Sequence, residues 1–171
     1  MDRRTFSLGA VAMLSVSACG SSRSARRFRT YNGPEVTSVV VNKSARRMYL
    51  LHNEQVLKEY DIDLGFAPDG DKRIKGDGKT PEGTYWIDRR NPNSSFHLSL
   101  GISYPNSKDI AEAKAMGKEP GGDIFIHGEP NRNRRKARNA DWTAGCIAVK
   151  NDEMEEIYAM VTDFTPIALR P

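Results

Sequence analysis

Between residues 59 and 64 the chain runs Glu59, Tyr60, Asp61, Ile62, Asp63, Leu64. An apolar side chain at every second position suits a β-strand with one wet face, and no helix of ordinary pitch would gather those three on one side. Short runs of strand-like composition flank it. Val39-Val40-Val41 and Met48-Tyr49-Leu50-Leu51 come first, and Asn53-Glu54 offers a turn into Val56-Leu57. Thr84-Tyr85-Trp86-Ile87 and Phe96-His97-Leu98-Ser99-Leu100 add two more, and Pro166-Ile167-Ala168-Leu169 returns as a final strand. The opening half therefore reads as a β meander.

Two helices are expected to interrupt the strands. Ser107 is placed to cap a helix over 108–116, with Asp109 and Glu112 near its positive end and Gly117 as a stop. Asn151 is placed to cap a second, because Asp152 and Glu153 fill its first turn. Met154, Ile157, Tyr158 and Val161 recur in it at helical spacing, a stripe for core packing. The expected architecture is mainly β, a sandwich or flattened barrel with about two peripheral helices. Residues 35–171 make one domain, long enough to bury its own core.

The first 34 residues have a different character. Arg3 and Arg4 precede an apolar run over 6–18, too short for the roughly 20 residues that cross a bilayer and suited to a signal peptide. The run ends Val16-Ser17-Ala18-Cys19, which resembles the lipobox of bacterial lipoproteins; cleavage would then precede Cys19 and its sulfur would carry lipid. Residues 1–18 are thus a lipoprotein signal peptide, with Sec and twin-arginine export both open. Residues 19–34 are a lipidated cysteine and a basic serine- and arginine-rich tether. Losing Asp2, Arg3 and Arg4 takes the formal charge from +4 to +3. That mild basicity accompanies no nucleic-acid recognition motif, and nucleic acid is not an expected partner.

The chain has two cysteines. If Cys19 bears lipid, Cys146 has no partner within the chain, and an unpaired thiol in an oxidising compartment needs a task to explain it. Cys146 follows Gly145 and precedes Ile147-Ala148-Val149, which puts the sulfur where a tight turn feeds a strand. A thiol attacks as thiolate, so it needs a base at hand. His127 ends the apolar run Ile124-Phe125-Ile126, expected on a strand beside the one that follows Cys146. The bland alternative is a buried cysteine and an ordinary polar strand end.

Other chemistries fit less well. Gly78-Lys79-Thr80 invites a nucleotide reading, but a phosphate loop needs a glycine where Arg73 stands. The stretch 72–83 is instead a mobile turn or one wall of a groove. His52, His97, His127 and Cys146 are metal-ligand types without the short spacing that builds a zinc site from one element. His52 suits a hairpin turn, and His97 alternates along its strand.

Taken together, Ile126-His127-Gly128 and Thr143-Ala144-Gly145-Cys146-Ile147 resemble the active-site signature of the L,D-transpeptidase catalytic domain, the YkuD family. Gly78-Lys79-Thr80-Pro81-Glu82-Gly83-Thr84-Tyr85 is similar to that family's upstream Thr-Pro-x-Gly segment. The stretch from Phe96 to Asn106 resembles one found in a bacterial branch of it. The resemblance spans about residues 36–169 and implies a mostly β peptidoglycan enzyme with no metal or organic cofactor. Cys146 would attack the third residue of a stem tetrapeptide and expel D-alanine, leaving a thioester. His127, its ring oriented by a backbone carbonyl, would move the proton, and the Gly145 and Cys146 N–H groups would face the oxyanion. Gly128, Trp142, Thr143 and Arg138 are the expected substrate contacts, and Tyr104 is a further candidate for the groove.

Many members carry arginine two residues after the nucleophile, and here that residue is Ala148. The loop cations Arg132, Arg134, Arg135, Lys136 and Arg138 either replace it or form a solvated lid. The acceptor stays open: an amine gives cross-links or attaches an envelope protein, and water gives a carboxypeptidase or hydrolase. A catalytically silent wall-binding lipoprotein and a thiol redox or metal-binding envelope protein are the competing classes. The expected product is a monomer in the periplasm, lipid-anchored to the outer membrane if the host is Gram-negative.

Overall fold

The computed structural model describes residues 28–133, 135, 137 and 139–171. Cys19, the signal peptide, and Arg134, Lys136 and Arg138 lie outside the described residues. Ten elements follow in chain order: β1 (Ser38–Asn42), β2 (Arg47–His52), β3 (Gln55–Asp61), β4 (Gly83–Asn91), β5 (Ser99–Ile102), α1 (Ser107–Ala115), β6 (Phe125–His127), β7 (Ile147–Ala148), α2 (Asn151–Met160) and β8 (Pro166–Arg170). The strands form one curled sheet in the order β3-β2-β1-β8-β4-β5-β6-β7. The fold is mainly β, a flattened half-barrel with two helices, as the strand pattern implies.

Alternation does most of the positioning. Val39 and Val41 on β1, Met48 and Leu50 on β2 and Ile167 and Leu169 on β8 point into one core with Tyr85, Ile87, Leu100 and Ile126. The α2 stripe of Met154, Ile157, Tyr158 and Val161 covers it, as its helical spacing requires.

The meander ends sooner than the strand count suggests. β1, β2 and β3 pair antiparallel in turn, but β4 does not join β3; β8 enters between β1 and β4, parallel to the first and antiparallel to the second. The alternating segment explains why. Its hydrogen bonding to β2 stops at Asp61, and Asp63 then pairs with Ala148, exchanging N–H to O bonds of 2.9 and 2.8 Å. Ile62 and Leu64 stay buried while the chain leaves one edge of the sheet to close against the other.

Three further local expectations need correction. Asn106, not Ser107, caps α1: its side chain accepts the Lys108 and Asp109 N–H groups, and Asp109 answers by accepting the Asn106 N–H. Asn151 does not cap α2, since Lys150 holds that position and donates its N–H to the Glu153 carboxylate. The Asn151 side chain is drawn instead to the Glu129 N–H at 2.8 Å. His97 does not alternate along a strand. Its φ is +68°, its N–H donates to Asn131 Oδ1, and its ring meets Glu155 at 2.9 Å, so β5 begins only at Ser99.

Candidate active site

β6 and β7 lie side by side in parallel, pairing Ile126 with Ile147 and His127 with Ala148. Ile126 and Ile147 face the core. The pleat therefore sends His127, and Cys146 one residue before β7, to the opposite face. Gly145 makes the turn at φ +133°, and a Cβ there would stand 2.6 Å from the Lys79 carbonyl oxygen. Only glycine lets the two backbones approach so closely.

That turn is fastened at several points. Thr143 Oγ1 donates to Cys146 O at 2.7 Å and accepts the Gly145 N–H at 3.1 Å. Thr143 N–H donates to Leu64 O, and Phe66 N–H donates to Thr143 O. Upstream, Arg46 grips both oxygens of Asp141 at 2.8–3.1 Å, while Asp141 Oδ1 also accepts the Leu64 N–H.

The imidazole is held as firmly. His127 Nδ1 donates to Gly128 O at 2.7 Å, which fixes the tautomer and leaves Nε2 without the proton. Phe96 lies against the ring at a centroid distance of 4.5 Å, and Trp142 meets its edge at 5.5 Å. Gly128 N–H donates to Phe96 O, and Asn151 secures the next amide. Only 4% of His127 is exposed, and burial holds the imidazole below its ordinary basicity, against a smaller opposing effect of the Gly128 hydrogen bond.

Cys146 is unpaired and half-buried. Its S–H donates to the carbonyl oxygen of Asp123 at 3.4 Å, a residue held at φ +55°. Burial pushes the thiol above the usual cysteine range, and the Asp123 carboxylate adds to this; hydrogen bonding at the Phe125 main chain and the charge of Lys72 pull the other way.

Two cavities meet at the sulfur. The first, about 460 Å³, is walled by Phe96, Phe125 and Trp142 with His127 and several serines. The second, about 760 Å³, is lined by Lys72, Lys75, Arg89, Glu119 and Tyr104 among glycines. Asp123, Ala144 and Cys146 border both. Arg89 reaches across bare Gly101 to stack over Phe125 at 4.7 Å; a Cβ at Gly101 would lie 2.4 Å from the arginine's Cγ.

Both shifts favour the uncharged pair, thiol and neutral imidazole, at neutral pH. His127 stays a base as pH falls through the ordinary 6.5, and Cys146 keeps its proton as pH rises through the ordinary 9.0. Alkylation of Cys146 by iodoacetamide is therefore expected to accelerate with pH to a midpoint above 9.0, and the imidazole NMR titration to centre below 6.5. A rate already flat through neutrality would show a preformed thiolate–imidazolium pair and contradict this.

The structure thus brings together Cys146, His127, Trp142 and Thr143 in one cavity. Gly128 lines neither cavity and acts through the imidazole it anchors. The Gly145 N–H, expected to face an oxyanion, donates here to Thr143 Oγ1 at 3.1 Å. Arg138 lies outside the described residues. Ala148 is buried against Asp63 and His127, with its backbone closing the barrel. Residues not foreseen are Asp123, Phe125, Arg89 and Ser99; the strand register brings in the last three, and the contact with the sulfur brings in Asp123. Among the described residues, no three His, Cys, Asp or Glu side chains gather to hold a metal ion.

A free thiol that opens on the same cavity as a carbonyl-anchored imidazole, on a curled sheet whose edges close on each other, defines a class of cysteine–histidine sites. The chain belongs to the L,D-transpeptidase catalytic domain family, YkuD, whose sequence model matches residues 37–169. YafK of Escherichia coli K12, a protein assigned as an L,D-transpeptidase, is 32% identical over 110 residues, 63% of this chain and 38% of YafK. The helical cell shape determining protein Pgp2 of Campylobacter jejuni is similar in structure, with a TM-score of 0.60 and 28% identity over 85% of this chain and 53% of Pgp2. Bd1075 of Bdellovibrio bacteriovorus follows at 0.55 and 27%, over 78% and 47%. L,D-transpeptidase 1 of Mycobacterium tuberculosis, at 0.51 and 16% over 80% and 62%, shares the fold. This chain spans about half or less of the length of YafK, Pgp2 and Bd1075.

Proposed function

We propose that this chain is a cysteine-nucleophile L,D-transpeptidase acting on peptidoglycan stem tetrapeptides. The observation that carries the reading is the convergence of Cys146 and the anchored His127 on one open cavity. As the thiol proton passes to His127 Nε2, Cys146 Sγ bonds to the carbonyl carbon of the third stem residue. The Cys146 N–H is the amide at the turn left to face the oxyanion. The C–N bond then breaks, His127 returns the proton to the amine, and D-alanine leaves behind a thioester. An amine attacks that thioester, its proton passes back through His127, and the thiol is restored.

The two cavities that meet at the sulfur supply room for a donor and an acceptor. The acceptor is a second stem or an envelope protein. Both cavities also open to solvent, and this favours hydrolysis to a tripeptide as the second reading. Similarity to Pgp2 supports a part in cell shape.

Incubating the soluble domain with a disaccharide-tetrapeptide is expected to release D-alanine, and a carbapenem is expected to leave one covalent adduct on the Cys146 peptide. Cross-linked products identify an amine acceptor, and free tripeptide identifies water. Unchanged muropeptides and an unmodified mass would reject both readings in favour of a wall-binding module.

For the whole chain we propose a periplasmic location with lipid at Cys19, on the outer membrane in a Gram-negative host. Labelled palmitate should enter the wild type and not Cys19→Ser; equal labelling would overturn the anchor.

A further inference from the structure

The strand register lines up a row of side chains that the mechanism above leaves partly unused. Asn91 on β4 pairs with Ser99 on β5, and Ser99 pairs with His127 on β6. Paired residues share a face of the sheet, so three polar side chains stand in line across three strands. All three line the first cavity, whereas Leu98 and Leu100, on either side of Ser99, point into the core.

Two members of the row already have partners in the protein. Asn91 Oδ1 accepts the Asn93 N–H at 2.9 Å, and His127 Nδ1 donates to Gly128 O. Ser94, another buried serine of that wall, accepts the Phe96 N–H at 3.1 Å. Ser99 differs. Its residue is only 3% exposed, yet among the described residues its hydroxyl meets no hydrogen-bond partner.

An unpaired buried hydroxyl costs stability, and alanine would occupy this strand position without that cost. A serine kept there is aimed at a group that is not part of the chain. The surrounding wall says which kind. Phe96, Phe125 and Trp142 line it, and the cations Lys72, Lys75 and Arg89 line only the second cavity. Among the described residues, no lysine or arginine lines the first cavity, and its one acidic wall residue, Asp123, would repel a carboxylate. A neutral amide, which needs one hydrogen bond and tolerates apolar walls, fits.

We propose that Ser99 is a substrate-binding residue whose hydroxyl hydrogen-bonds a main-chain amide of the donor stem peptide, next to the bond that Cys146 attacks. The neutral main chain of the donor then lies in the aromatic cavity. This assignment rests on the reading of the site as a peptide acyl-transfer centre.

The test compares wild type, Ser99→Ala and Ser99→Thr in D-alanine release from a disaccharide-tetrapeptide, with the pH profile of Cys146 alkylation and the melting temperature measured alongside. For Ser99→Ala the expected result is a fall in kcat/KM of about 3- to 10-fold, the worth of one neutral hydrogen bond, carried mainly by KM. The alkylation profile should not move, because the thiol and imidazole do not depend on Ser99. The melting temperature should not fall, since an unpaired polar group has been removed. Ser99→Thr keeps the hydroxyl and should recover most of the loss.

An unchanged KM in folded Ser99→Ala would overturn the inference and leave Ser99 as the seat of an ordered water only. A displaced alkylation profile would also overturn it, by showing that Ser99 acts on His127 and not on the peptide. A wild type that turns over normally beside such a variant leaves the acyl-transfer reading intact. A wild type that releases no D-alanine sinks that reading and this inference together.

Discussion

Cys146→Ala is expected to abolish both D-alanine release and the carbapenem adduct, and His127→Gln to slow release by about 10²- to 10⁴-fold, the range that general acid–base catalysis supplies. The two variants fail for different reasons. Alanine removes the atom that bonds to the acyl carbon, so no residual covalent route exists. Glutamine can still donate to Gly128 O from its side-chain amide, which keeps the loop in place, but it cannot take up a proton. The adduct should therefore still form in His127→Gln, slowly, and more readily at high pH, where hydroxide does the work of the missing base. Intact-mass spectra over time and an amino-acid assay of released D-alanine measure both. Release at the wild-type rate in His127→Gln would remove the imidazole from the mechanism.

Lys43→Met is expected to cost about 3 kcal/mol, the lower end for breaking a buried ion pair, and to lower the melting temperature by about 6–12 °C. Lys43 is 2% exposed, and its ammonium meets Glu82 at 2.7 Å, Gly70 O at 2.6 Å and Thr80 O at 2.9 Å. Methionine fills the space but leaves three oxygens without a donor. Glu82 is partly open to water, which places the loss at the low end. The effect reaches the nucleophile as well. Thr80 Oγ1 accepts the Gly65 N–H, and the Lys79 carbonyl packs against Gly145. A loosened 70–80 loop should thus depress activity below the melting transition. Thermal unfolding by circular dichroism, with activity assayed at several temperatures, tests this; a melting temperature within 1–2 °C of wild type, less than about 1 kcal/mol by the same conversion, would show that the lysine is merely tolerated.

That Cys146 and His127 would meet was legible in the sequence because each is a local signal. A glycine before the cysteine announces a turn, and a histidine closing an apolar run announces a strand end. Both elements proved to be neighbours because the site lies where two short strands run in parallel. The α2 core stripe was equally plain, since helical spacing is a property of one segment. What escaped was set between segments. Ser99 faces His127 only through the β5–β6 register, and Arg89 stacks on Phe125 only because Gly101 lies between them. Ser107 and Asn151 are both acceptable caps by composition. One was displaced by the Asn106–Asp109 pairing, the other by a competing amide at Glu129. His97 sits in an alternating run yet takes a left-handed backbone, which no pattern of apolar residues discloses.

The placement of β8 has a consequence for how the chain reaches its final state. The last strand in chain order is a wedge in mid-sheet, running parallel to β1 and antiparallel to β4. Until it is made, β1 and β4 have no strand between them, and among the described residues the sheet is held together only by the bridges of Asp63 to Ala148 and Gly65 to Thr143. Such long-range closure folds slowly.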